Sequence, residues 1–223
     1  MKKILFYSLI ALLISCASET EDKAAQVVAK AYDTKAQFSK EFITENGDTK
    51  PIYFLELEAN GLLDTLDMIY GASNMGLLIY ENLSQEERHT YDRFQISTTQ
   101  NGEAYSQAFG FNPSDLAIAI PQAKLFNSFS QYIVDEDYEA AQNLVTPENR
   151  GETAAEALRN YIQAAVGQHG KVTGYKRTGW GMNDDETVFH YSGYLTFNSG
   201  YTLFYYIGVS RDTDEYMIGY KID

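Results

Sequence analysis

Hydrophobic positions along the first half of the chain recur with two periods. Over residues 23–40, Ala24, Ala25, Val27, Val28, Ala31 and Phe38 mark one apolar face with charges between them, which predicts a helix. Glu45-Asn46-Gly47-Asp48 reads as a turn, and Pro51 bounds a strand. In that strand, Ile52 to Glu58, Tyr53, Leu55 and Leu57 alternate with Phe54, Glu56 and Glu58. Asn60-Gly61 reads as a strand-to-helix turn rather than a hairpin, because Leu62, Leu66, Ile69, Tyr70, Leu77, Tyr80 and Leu83 then keep a helical stripe. Tyr91 to Thr99 is a predicted strand. Asn101-Gly102 is a hairpin signal, and a strand from Glu103 to Phe111 follows it. Asn112-Pro113-Ser114-Asp115 punctuates the chain, and a domain boundary is placed there.

In the second half, Ile118 to Val134 is a predicted helix with Leu125, Phe129, Tyr132 and Ile133 on one face. Asp135 is expected to cap a second helix through Tyr138, Ala141, Leu144 and Val145, ended by Pro147. Thr153-x-x-Glu156 reads as a capping box for a third, with Leu158, Tyr161, Ile162, Ala165 and Val166 as its stripe. Four strands are then expected: Lys171 to Trp180, Thr187 to Phe197, Tyr201 to Val209 and Tyr216 to Ile222. Their period-2 alternation predicts a curled antiparallel sheet with one buried face; on the last strand that face is Tyr216, Ile218, Tyr220 and Ile222.

The leading residues belong to neither half. Lys2 and Lys3 precede an apolar run, Ile4 to Leu13, that fits the core of a secretory signal and is too short to span a bilayer. Leu13-Ile14-Ser15-Cys16 then resembles the lipobox of bacterial lipoproteins. That resemblance implies a diacylglycerol on the Cys16 thiol and cleavage just before it. Two or three acyl chains hold stably where one holds weakly. Cys16 is the sole cysteine, so the exported part is thiol-free. The polar stretch 16–22 reads as an acidic tether. It resembles the surface-export signal of some Bacteroidota lipoproteins, and equally a solvated linker. Position 17 is Ala rather than Asp, so inner-membrane retention is not indicated, and the implied location is the cell envelope, at the outer membrane, facing the periplasm or the surface.

The fold class expected is α+β, divided as signal 1–15, tether 16–22, an N-terminal region 23–112 and a C-terminal domain 113–223. The N-terminal region is read as a helix-strand-helix-hairpin layer, or a second, degraded copy of the domain that follows. Three helices and a four-strand meander over 115–223 resemble the NTF2-like (cystatin-like) cone. Tyr132-Ile133-Val134-Asp135-Glu136-Asp137-Tyr138-Glu139-Ala140-Ala141 and Gly170-Lys171-Val172-Thr173-Gly174-Tyr175 carry that resemblance. The family holds enzymes and many non-enzymes, so the fold does not settle the function.

Charge narrows the partners. The chain carries 17 basic and 31 acidic residues, net −14, and cleavage before Cys16 removes two lysines and no acid, leaving −16. Such a surface repels nucleic acid. Catalytic signals are missing. His89, His169 and His190 lack an acidic partner at useful spacing, no metal-ligand spacing occurs, and Asn183-Asp184-Asp185-Glu186 and Asp212-x-Asp214-Glu215 read as hairpin turns kept soluble by charge. No cofactor and no metal are expected. The compositional oddity is 18 Tyr, 12 Phe and 1 Trp. Most are read as sheet core; Phe204 and Tyr206 are expected to face outward, and Trp180, Tyr191, Tyr205 and Tyr220 are the candidates for an aromatic ligand site. The leading expectation is a lipid-anchored envelope protein that binds a protein or small ligand without catalysis. An enzyme or small-molecule binder using the cone pocket, and a structural or assembly lipoprotein, are the alternatives.

Overall fold

The structure, a computed structural model, describes residues 17–59, 63, 68–100, 103–104, 108–183 and 185–223. Among these the chain is mixed α+β, with six α-helices and two open sheets of five and four strands. Cys16, the Asn60-Gly61 and Asn101-Gly102 turn signals and Asp184 lie outside the described residues.

Helix α1 (Glu19–Ala31) starts at Ser18, whose hydroxyl accepts the Glu21 N–H at 3.0 Å while the Glu21 carboxylate accepts the Ser18 N–H at 2.7 Å. This capping box places Glu19, Glu21 and Asp22 in the first turn, where the helix dipole favours acids. The stretch read as a tether is therefore folded from Ser18 onward. The helix also ends earlier than its periodicity suggests. Asp33, at φ 49°, turns the chain, and β1 (Ala36–Glu45) pairs antiparallel with β2 (Asp48–Glu58). Phe38 looked like the last rung of a helical stripe. It packs instead on the Tyr53 ring across the hairpin, centroids 4.3 Å apart, because a ten-residue strand register outweighs one well-spaced aromatic.

Helices α2 (Met68–Asn82) and α3 (Gln85–Thr90) carry the chain over to β3 (Arg93–Gln100), which is parallel to β2. β4 (Glu103–Ala104) and β5 (Phe109–Phe111) both add antiparallel to β3. The second half follows its expected order: α4 (Pro113–Val134), α5 (Tyr138–Asn143), α6 (Ala154–His169), then the antiparallel meander β6 (Val172–Met182), β7 (Val188–Phe197), β8 (Thr202–Ser210) and β9 (Met217–Ile222).

Three local expectations need correction. Asp137, not Asp135, caps α5; Asp135 closes α4, and Glu136 makes the break at φ 61°. Thr153 precedes α6 but makes no side-chain cap, since its ψ of 10° is not the extended value a cap needs. On β9 the face slips. Ile207 pairs with Tyr220 and Gly208 with Gly219, but Val209 pairs with Met217, so the irregularity there buries Met217 where Ile218 was expected.

One apolar cluster runs through both halves. It joins Tyr53, Leu55 and Phe94 of the first sheet, Met75 and Leu77 of α2, Phe126 and Phe129 of α4, and Tyr191 and Tyr205 of the second sheet. The boundary placed at residue 112 thus marks a change in element order, not a gap between two cores. Two glycines permit the closest approaches. A Cβ on Gly193 would stand 2.3 Å from Phe126 Cζ, and one on Gly179 would stand 2.7 Å from Tyr70 Cβ.

Candidate functional site

β6 is an edge strand, and an edge leaves backbone donors and acceptors unpaired. Helix α2 meets this edge. Ser73 Oγ accepts the Trp180 N–H at 2.9 Å, and the Ser73 carbonyl accepts the Trp180 indole N–H at 2.8 Å. From the next residue of α2, Asn74 Nδ2 donates to the Arg177 carbonyl at 3.1 Å and to the Tyr32 hydroxyl at 2.8 Å. Asn74 Oδ1 accepts from Arg177 Nε at 2.7 Å.

Seven residues on, and so on the same face of α2, stands Glu81. The buried Arg177 guanidinium forks onto it, with contacts of 3.1 and 3.2 Å. Fork geometry of this kind suits arginine and no other side chain. Beside the pair, Lys176 Nζ bonds the Ala31 carbonyl and lies 4.8 Å from the Tyr32 ring centroid. Burial lowers the Lys176 pKa. Burial also pushes the Tyr32 phenol up to about 12, against the Asn74 hydrogen bond and the Arg177 charge, which pull it down.

These groups wall a cleft of about 270 Å³ between α1, α2, α4 and β6, to which Asn127, Tyr175 and Leu78 also contribute. Two cations, one carboxylate and two amides make it a place for a small polar ligand. It holds no nucleophile paired with a base. Sequence reading missed Asn74, Glu81 and Arg177. The available signal was a charge inside each of two otherwise core-forming stretches, but the partners lie 96 residues apart and nothing local joins them.

The residues singled out from sequence lie deeper. Trp180 is buried with its indole on Ser73. Tyr191, fully buried, donates to the Ala119 carbonyl of α4 at 2.6 Å. Tyr205, also fully buried, is hydrogen-bonded to Ser130 and stacks on Phe126 at 5.2 Å. Tyr220 accepts from Gln142 and packs on Phe129 at 4.8 Å. All four polar tips are bonded within the protein, and burial raises the pKa of the three phenols. The structure brings Tyr191, Tyr205 and Tyr220 into the core between α4, α5 and the second sheet and leaves Trp180 apart from them at the α2–β6 junction; none of the four lines the cleft.

Phe204 and Tyr206 face outward, 49% and 42% exposed. His89 and His190 are exposed, and His169 stacks on Tyr201 at 3.9 Å. In the acidic turn, Asp185 bonds the Thr187 hydroxyl and N–H. Among the described residues, no three His, Cys, Asp or Glu side chains gather as a metal site, and no helix is long and apolar enough to cross a membrane.

No protein-family model matches the chain, and no curated protein does. Among solved structures, the Bdellovibrio bacteriovorus protein Bd1075 is similar at a TM-score of 0.35 and 6% identity, over 84% of this chain and 75% of that one, a likeness too slight to carry an argument.

Proposed function

We propose that the chain is a lipid-anchored protein of the bacterial cell envelope that works by binding rather than by catalysis. The observation that carries this reading is Leu13-Ile14-Ser15-Cys16 followed, two residues on, by the Ser18 helix cap. The fold starts where a lipidated cysteine would leave the bilayer, with no long spacer between them. The bonded polar tips of Trp180, Tyr191, Tyr205 and Tyr220, and the mutual neutralisation of Arg177 and Glu81, support a role without turnover. The three helices and four-strand meander of residues 113–223 support an NTF2-like domain as the finer reading of the fold. The outer membrane is the proposed site, since position 17 is Ala.

Replacing Cys16 by Ser tests the anchor. The native protein should sediment with membranes and carry lipid at Cys16, and the Cys16→Ser protein should carry none and keep its uncleaved leader. A native protein that stays in the soluble envelope fraction contradicts the reading. The α2–β6 cleft favours a second reading, a carrier of a small polar molecule bearing a carboxylate or carbonyl that Lys176 and Asn127 can meet.

A further inference from the structure

On β1, Ala36, Phe38, Lys40, Phe42 and Thr44 share one face of the strand, opposite Leu57, Leu55, Tyr53, Pro51 and Thr49 of β2. Where α1 covers it, this face is core. Tyr53 is fully buried and donates its hydroxyl to the Glu21 carbonyl at 2.9 Å, in the helix's first turn. Phe38 packs on Tyr53, and Lys40 Nζ lies 5.3 Å from the Tyr91 ring centroid, the same Tyr91 whose hydroxyl bonds Glu21. Lys40 and Tyr53 are thus level with the start of the helix. Phe42 is two residues farther along, roughly 7 Å of strand. It points to the core side but lies past the helix, and is 61% exposed.

The chain leaves the fold at this same end. Ser18 caps α1, and Cys16 is two residues before it, at most about 7 Å of extended backbone. The overhanging part of the face, Phe42, Thr44, Thr49 and Pro51, carries no charge in a chain of net charge −14, and Lys40 borders it at the level of the helix start. Glu41 and Glu45 alternate onto the other side. An aromatic ring flanked by a lysine is the chemistry that lies in a lipid headgroup layer.

We infer that the β1–β2 hairpin is a second membrane contact, which lays Phe42 into the bilayer interface beside the acylated Cys16. The inference rests on the lipid-anchor reading. It makes the protein sit on the membrane in one orientation, with the α1 N-terminus and the hairpin tip down and the far end of α1 away from the lipid.

The test uses the mature lipidated protein floated on phosphatidylcholine–phosphatidylethanolamine vesicles. Acylation blocks the Cys16 sulfur, so a spin label on Phe42→Cys is the only one attached. Lys35→Cys, beyond the other end of α1, gives the reference. Contact with a water-soluble nickel relaxation agent should fall on vesicle binding for the label at 42 and stay unchanged for the label at 35. Unchanged contact at 42, with the protein still floating, overturns the hairpin inference and leaves the anchor standing. Failure to float overturns the anchor and the inference together. Dipolar broadening between labels at 42 would mean that a second copy covers Phe42, and would overturn the assignment to lipid.

Discussion

Glu87 closes two helix starts at once. It completes the capping box of α3 with Ser84, and it also accepts the hydroxyls of Ser18 and Thr20 at the start of α1. Burial works against its charge, but the donors from Ser18, Thr20 and Ser84 together outweigh it and hold the carboxyl down at about 2. A carboxyl depressed in the folded state contributes stability above its unfolded pKa and loses it as the pH falls through the folded one. The window therefore runs from the ordinary value of 4.5 down to about 2. Urea melts of the native protein should lose stability across that window more steeply than those of Glu87→Gln. Parallel curves would mean that Glu87 does not hold the two caps. The same residue ties the start of α1, where the proposed anchor would enter the fold, to α3.

At the scale of elements, α2 and β6 are joined by polar side chains rather than by a ladder. Removing Glu81 leaves the Arg177 guanidinium, 8% exposed, with Asn74 as its remaining side-chain partner. Glu81→Ala should cost about 3 kcal/mol in thermal or urea unfolding, at the low end for breaking a buried pair because Glu81 itself is 27% exposed. The double variant Glu81→Leu with Arg177→Met should recover most of that loss. If Glu81→Ala costs under about 1 kcal/mol, the pair behaves as a surface bridge and does not join the halves.

How much of this was legible depends on the element. In the second sheet, Leu203, Tyr205, Ile207 and Val209 alternate without a break, and β8 emerges within a residue of its expected bounds. β1 was not legible. Its alternation of Ala36, Phe38 and Phe42 with polar residues is interrupted by Lys40 and Ile43 and was overridden by the helical stripe before it; pairing with β2 settles it as a strand. β9 was legible as a strand but not in its facing, because the irregularity near Ile218 depends on register across β8. The α2–β6 cleft was illegible for a related reason. Asn74 and Glu81 share a helix face, but what they face is set by tertiary packing.

For the whole molecule, one core spanning residues 24 to 217 implies one cooperative unit. Near-ultraviolet and far-ultraviolet circular dichroism should report the same melting transition, and a fragment of residues 113–223 should not hold its tertiary signal, since it would bare the β6 edge and Trp180. Two separate transitions would restore a true domain boundary near residue 112. Under the proposed anchor, the lipid would join this unit just before its first helix cap at Ser18.

The most direct measurement is the intact mass of the protein extracted from bacterial membranes. The account predicts a chain that starts at Cys16 and is heavier than its sequence by a diacylglycerol, with or without a further acyl group on the new amine. A chain that starts elsewhere, or that starts at Cys16 with an unmodified thiol, would contradict it.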